Sequence, residues 1–152
     1  DIGAYPGGWA QVASKVVKTG KILSLDTKKM EKLDNVSFLQ CDFLEERAKE
    51  KILKFFREKL DVVISDMAAN TTGNKSLDCI RTNQLCSDVV EFSSKILKPN
   101  GVLVSKLFMG EDFLEVKELA KSRFKKVEFF KPESSRNESK ETYLHCMILK
   151  TL

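Results

Sequence analysis

Short apolar runs separated by helical stripes, three of them ending on an acid, constrain this chain more than any other feature. Lys21-Ile-Leu-Ser-Leu-Asp26, Val36-Ser-Phe-Leu-Gln-Cys-Asp42, Asp61-Val-Val-Ile-Ser-Asp66 and Gly101-Val-Leu-Val-Ser-Lys-Leu-Phe108 are near-continuous aliphatic segments. Such runs suit strands covered on both faces, as in a parallel sheet. Helical spacing fills the gaps. Trp9 to Val17 follows a glycine pair, and Glu45 to Lys59 puts Ala48, Ile52, Phe55 and Phe56 on one face. In a third helix Leu85, Val89, Phe92 and Ile96 recur at three- and four-residue steps, and Lys98-Pro99-Asn100-Gly101 is expected to end it. A fourth runs from about Asp112 to Arg123. Lys126 to Lys131 and Thr142 to Leu149 read as two closing strands, joined by the polar loop Pro132 to Glu141. With no helix between them, they are expected to be antiparallel neighbours. The whole predicts a doubly wound α/β fold: a mostly parallel sheet, a C-terminal antiparallel strand, and helices on both faces. At 152 residues the expectation is one domain, residues 1–152. If Asp1 ends a first strand, that strand's body lies upstream, so the chain is expected to lack its N-terminal segment and most of that strand.

Composition removes several classes. No stretch approaches the roughly 20 uninterrupted apolar residues of a membrane helix. The opening Asp1-Ile2-Gly3 carries no secretory pattern. Cys41, Cys79, Cys86 and Cys146 form no C-x-x-C pair and no zinc-like spacing. They are expected to be small buried thiols of a reduced, cytoplasmic, metal-free protein. The net charge of +4 fits an RNA-facing surface without demanding one.

The segment Asp1-Ile-Gly-Ala-Tyr-Pro-Gly-Gly-Trp9 sits at a strand-to-helix junction, where Gly3, Gly7 and Gly8 permit a tight turn and close approach to a ligand. Its spacing matches neither the dinucleotide nor the triphosphate cradle. Asp1, Asp26, Asp42 and Asp66 each stand at the end of an expected strand, on one rim of the sheet. Acids there either cap the next helix or line a ligand crevice. A wall of carboxylates repels a polyphosphate. It suits ribose hydroxyls, an adenine amino group and a cation, which together describe S-adenosylmethionine.

Asp1 to Trp9, Ser65-Asp66-Met67-Ala68, Lys106 within Val-Ser-Lys-Leu-Phe, Lys131-Pro-Glu-Ser-Ser-Arg136 and Glu141-Thr-Tyr143 occur in the order seen in a known family. Together they resemble the FtsJ/RrmJ ribosomal RNA ribose 2′-O-methyltransferases. The resemblance runs the length of the chain, and Ala69-Asn-Thr-Thr-Gly-Asn-Lys75 looks like its bacterial branch. It implies a Rossmann-like S-adenosylmethionine-dependent fold and methyl transfer to a uridine ribose of 23S ribosomal RNA. It implies cofactor binding by Gly7 and Trp9, by Asp26 at the ribose, Asp42 near the adenine, and Asp66 beside the methionine moiety. It also implies catalysis by Lys106, Asp66 and Glu141, members of a Lys-Asp-Lys-Glu tetrad whose first lysine lies upstream of the glycine turn. Tyr5 and Ala69 depart from the family pattern, which has a small residue and a proline there.

A ribose hydroxyl is a poor nucleophile until its proton leaves. Lys106 acts either as a neutral base or as a charged group that orients the hydroxyl. With a pKa of about 10.4, the neutral form costs roughly 4 to 5 kcal/mol at pH 7. Burial favours it and neighbouring carboxylates oppose it, and both roles stay open at this level. Lys131, Arg136 and Lys140 are candidate RNA contacts, with Lys28, Lys29, Lys32, Lys75 and Arg81 as further ones. His145, Phe55, Phe56, Phe129 and Phe130 are read as packing. A monomer acting on RNA of the large ribosomal subunit is expected. The alternatives are a transfer RNA or cap ribose methyltransferase, a non-catalytic RNA-binding module, and a small-molecule or protein methyltransferase.

Overall fold

The computed structural model describes residues 1–151. The chain divides into two compact units, Asp1–Glu58 and a second from Lys59 onward.

In the first unit, α1 (Gly8–Val16) is followed by β1 (Ile22–Asp26), β2 (Val36–Gln40) and α2 (Glu46–Phe56). β1 and β2 pair in parallel, from Ile22 opposite Val36 to Asp26 opposite Gln40. Leu23, Ser24 and Leu25 are buried, as an aliphatic run with both neighbours covered should be. Residues 1–3 run alongside β1 without forming a strand. Ile2 makes a parallel bridge to Leu25, and Leu25 N donates to Asp1 O at 2.9 Å. Ala4, Ala10 and Met30 form a small core against which Leu33, Val36 and Phe38 pack.

The second unit contains β3 (Leu60–Ser65), α3 (Lys75–Ile96), β4 (Leu97–Phe108), α4 (Phe113–Arg123), β5 (Phe124–Phe130) and β6 (Glu141–Leu149). Its strands lie in the order β3-β4-β6-β5. β3 and β4 are parallel; β6 runs antiparallel to both β4 and β5. The closing pair thus has the expected sense, with β6 inserted between β5 and β4. Val89 and Val90 of α3, Leu103 and Leu107 of β4, Phe124 of β5 and Leu144 of β6 are almost fully buried. This is a mixed-sheet α/β arrangement.

Three expectations need correction, and the third helix is longer than its regular apolar stripe. α3 begins at Lys75. Its first turns point Leu77 and Ile80 outward and bury the polar Thr82 and Asn83, which breaks the hydrophobic period. Lys98-Pro99-Asn100-Gly101 does not separate helix from strand. α3 ends at Ile96, and β4 starts at once with Leu97. The register against β3 then slips, from Leu60 opposite Leu97 to Val62 opposite Val102. Pro99 lacks the N–H that a regular ladder uses, and Gly101 is packed where a Cβ would stand 2.9 Å from Leu97 Cδ2. Finally, none of Phe55, Phe56, Phe129 and Phe130 is core. The first three are half-buried and Phe130 is exposed. Of the four thiols only Cys86 and Cys146 are buried, and all four are free.

Candidate active site

Along β4 the side chains alternate. Leu103, Ser105 and Leu107 are buried, and Ser105 hydrogen-bonds Cys86 of α3. Lys106 therefore points to the face away from α3. Ser65 pairs with Ser105, so Asp66, the first residue past β3, arrives beside Lys106. On the other side, β6 places Tyr143 opposite Lys106 and Glu141 opposite Phe108. Being two residues apart, Glu141 and Tyr143 share a face.

These placements converge on one cluster. Lys106 Nζ lies 3.0 Å from Asp66 Oδ1 and 3.2 Å from Glu141 Oε2, with the lysine side chain only 13% exposed. The Tyr143 hydroxyl lies 3.0 Å from Asp66 Oδ1 and 3.2 Å from Glu141 Oε1. It has one proton to share between them. Burial pulls the Lys106 ammonium towards deprotonation and is the largest single influence. The hydrogen bonds and charges of Asp66 and Glu141 together outweigh it, and the lysine titrates above its ordinary value. Lys106 is a cation at working pH. Burial, reinforced by the same carboxylates, pushes the Tyr143 hydroxyl well above the usual range, so it remains a neutral donor. The structure thus brings together all three residues expected to do the chemistry and adds a fourth, Tyr143. Its signal was the alternation in Glu141-Thr-Tyr143, which puts a phenol beside a carboxylate on one strand face.

A second set of residues holds this cluster. The Asn83 side chain of α3 donates to Phe108 O at 2.9 Å and accepts from Phe108 N at 2.8 Å; its Nδ2 also reaches Asp112 Oδ1 at 2.8 Å. Asn83 is fully buried, and the end of β4 that it clamps lies two residues past Lys106. Beyond Asp66, Ala69 N donates to Thr82 Oγ1, and Thr72 is tied to Asp78 through its N–H and hydroxyl. Asn74 caps α3 by accepting from Leu77 N. The Asn83 contacts join residues 25 or 29 apart in the chain, and no simple sequence pattern announces them.

The cofactor candidates Gly7, Trp9, Asp26 and Asp42 lie in the first unit. Gly7 has a φ of 117°, and a Cβ there would stand 3.1 Å from Met30 Sδ, so the turn is open to glycine alone. Trp9, half-buried, is the second residue of α1. Asp26 ends β1, and its Oδ2 accepts from Tyr5 N at 2.9 Å while Oδ1 accepts from Lys28 N. Its carboxylate thus ties the end of β1 to the glycine turn. Asp42 lies just past β2, exposed, with Oδ1 accepting from Leu44 N at 2.9 Å. The departure at Tyr5 is an exposed ring with Lys28 Nζ 5.2 Å from its centre.

Among the RNA candidates, Lys131 Nζ is engaged with the carbonyls of Ser139 and Glu141, pinning the loop that precedes Glu141. Arg136 and Lys140 are exposed. Lys140 and Lys75 line a cavity of about 290 Å³ with Cys79, Ile80, Gly110 and Glu111. Lys28, Lys29, Lys32 and Arg81 are surface residues. His145 Nδ1 lies 3.7 Å from Glu128, outside the cluster. Burial pushes the Cys86 and Cys146 thiols up to about 12, which keeps them unreactive. Among the described residues no group of His, Cys, Asp and Glu is placed to hold a metal, and no helix is long and apolar enough to cross a membrane.

Known proteins resemble this arrangement at three levels. The ribosomal RNA large subunit methyltransferase E of Pelagibacter ubique is 46% identical over 150 residues, covering 99% of this chain and 74% of the relative. That of Rickettsia akari is 48% identical over 150 residues, covering 95% of this chain and 66% of the relative. The chain therefore spans about two thirds to three quarters of these relatives. A Plasmodium falciparum structure provisionally named a ribosomal RNA methyltransferase matches with a TM-score of 0.86 at 28% identity, over 98% of this chain and 84% of that one. Human methyltransferase-like protein 13, solved with SAH, shares the fold at a TM-score of 0.69 and 15% identity, over 97% of this chain and 69% of that one. The family model for FtsJ-like methyltransferase matches residues 1–149, and the chain belongs to that family.

Proposed function

We propose that the chain transfers a methyl group from S-adenosylmethionine to a ribose 2′-oxygen, that of a uridine in 23S ribosomal RNA of the large subunit. The observation that carries this reading is the Lys106 ammonium held at 3.0 and 3.2 Å between Asp66 and Glu141. An ammonium has three N–H donors; two meet these carboxylates, and the third is left for a ribose oxygen. When bound, S-adenosylmethionine supplies a methyl group already activated on a positive sulfonium. The donor chemistry of this chain fits it. Asp26 and Asp42 suit ribose hydroxyls and an amino group, Gly7 and Trp9 belong to the cofactor turn, and the acids disfavour a polyphosphate. Asp66 is assigned both to the methionine end and to the reacting centre.

Little acid or base strength is needed for such a displacement, and positioning supplies most of the rate. Lys106 holds the hydroxyl in line and stabilises negative charge as it grows on the oxygen. Asp66 and Glu141 keep the ammonium charged and in place, and are the acceptors within reach of the departing hydroxyl proton. The Tyr143 hydroxyl lies within hydrogen-bond reach of both carboxylates, meeting Asp66 at the same Oδ1 as the ammonium. Lys131, Arg136 and Lys140 are assigned to RNA phosphates. The family match over residues 1–149 supports one methyltransferase domain spanning the chain. A metal-free monomer in the cytoplasm, where ribosomal RNA is assembled, completes the proposal.

The test is incubation with radiolabelled S-adenosylmethionine and large ribosomal subunits from a strain lacking the modification, followed by mapping of the label. The expected result is label on one uridine ribose of 23S RNA. Label on ribosomal protein, on a base, or on transfer RNA supplied in a parallel incubation in place of the subunits would contradict the assignment.

A further inference from the structure

One side chain of the cluster's sheet face is spent on neither the core nor the catalytic network. Lys106 of β4, Tyr143 of β6 and Phe130 of β5 form one continuous row across three strands, set by the pairings Lys106 with Tyr143 and Tyr143 with Phe130. The Phe130 ring stacks on the Tyr143 ring, with centroids 5.6 Å apart and planes at 25°. Its backbone is pinned, since Thr142 Oγ1 donates to Phe130 O at 2.8 Å. Even so, Phe130 remains 45% exposed, whereas Tyr143 beneath it is 8% exposed. A lone exposed phenylalanine is ordinary on a protein surface. This one is held in orientation by a stacked partner, in line with the lysine that faces the reacting oxygen.

We infer that Phe130 is a stacking platform for an unpaired RNA base, that of the target nucleotide or its neighbour. The inference rests on the reading of the substrate as RNA. Strands are spaced about 4.8 Å apart, so Phe130 stands roughly 10 Å across the sheet from Lys106. A ribose held at Lys106 and a base splayed from it, or from the next nucleotide, bridge that span. RNA bases that are read singly are typically splayed out and stacked on aromatic side chains. The outer Phe130 ring face is apolar, flat and already desolvated on its inner side, which suits a nucleobase of any identity. Tyr143 then serves two neighbours: its hydroxyl orders the carboxylates, and its ring backs the platform.

The experiment compares F130L and F130W with the wild type on large ribosomal subunits, reading KM for RNA and KM for S-adenosylmethionine. It adds a titration of F130W with a short unstructured single-stranded RNA, followed by tryptophan fluorescence with the wild-type Trp9 signal subtracted. Loss of the π face in F130L is expected to raise KM for RNA about tenfold and to leave KM for the methyl donor in place. F130W is expected to keep the wild-type KM for RNA, and its emission is expected to be quenched as RNA is added. Were Phe130 only a cover for Tyr143, leucine would serve equally well. A wild-type KM for RNA in F130L, or no quenching in F130W, would overturn the inference. Failure of the wild type to methylate RNA would instead count against the functional reading, because the quenching needs no methyl transfer.

Discussion

Lys106→Met lowers methyl transfer about 10³-fold and leaves S-adenosylmethionine affinity near the wild-type value. The methionine keeps most of the apolar stem, so the strand has no reason to shift, but the cation is gone. The loss matches what removal of a single preorganised donor to a developing oxyanion costs, roughly 10² to 10³ in rate. Asp66 and Glu141 then face the ribose oxygen without the positive charge between them, and like charges disfavour any anionic character there. Lys106→Arg recovers only part of the activity. Its planar fork carries the charge but cannot set three donors at the positions of a point-like ammonium. Single-turnover transfer to ribosomal subunits measures the rate, and equilibrium titration with the donor measures the affinity. A rate within a few-fold of wild type in Lys106→Met removes the lysine from the chemistry.

The largest stability effect is expected away from the reacting groups, at Asn83. This buried amide completes the backbone donor and acceptor of Phe108 and reaches Asp112 Oδ1. Asn83→Ala leaves those half-buried groups without their partner, and each polar group left unsatisfied by the protein costs about 1 to 3 kcal/mol where water does not reach it. The expected loss is about 3 kcal/mol in chemical denaturation, a large share of a typical domain's stability. Asn83→Asp fails similarly, because a carboxylate accepts from Phe108 N but repels Phe108 O and Asp112. A change within experimental error in either variant contradicts the clamp.

Local pattern made part of this molecule legible. The aliphatic runs around β1, β3 and β4 are strands, but only β1 buries side chains at successive positions; β4 alternates buried and half-buried residues from Gly101 onward, and β3 leaves Val62 exposed. The acids Asp26, Asp42 and Asp66 stand at or just past the ends of β1, β2 and β3. The start of α3 was hidden for an equally physical reason. Thr82 and Asn83 are buried because Ala69 and Phe108 need hydrogen-bond partners, and a hydrophobicity pattern scores such positions as surface. Glu141 alone reads as a loop carboxylate. Its place beside Lys106 depends on the β4–β6 register, which joins residues distant in sequence, and only the family resemblance anticipated it. Phe130 failed in the opposite direction. An aromatic residue in a strand suggests core, yet its position at the end of β5 leaves one ring face open. Asp26 proved to be more than a ligand candidate, because its carboxylate also accepts the Tyr5 N–H and so fastens the glycine turn.

The competition at Lys106 decides the mechanism, and pH is the direct probe of it. Because the two carboxylates raise the lysine above its ordinary value against the pull of burial, the ammonium persists through neutral and mildly alkaline solution. A lysine acting as base would need the neutral form, whose population grows tenfold with each pH unit below its pKa. The measurement is the single-turnover rate of methyl transfer to large ribosomal subunits between about pH 7 and pH 9, a range below the ordinary lysine value of about 10.4. The charged role predicts a flat rate across that range in the wild-type protein. A rate climbing about tenfold per pH unit, and losing that slope in Lys106→Met, would contradict it.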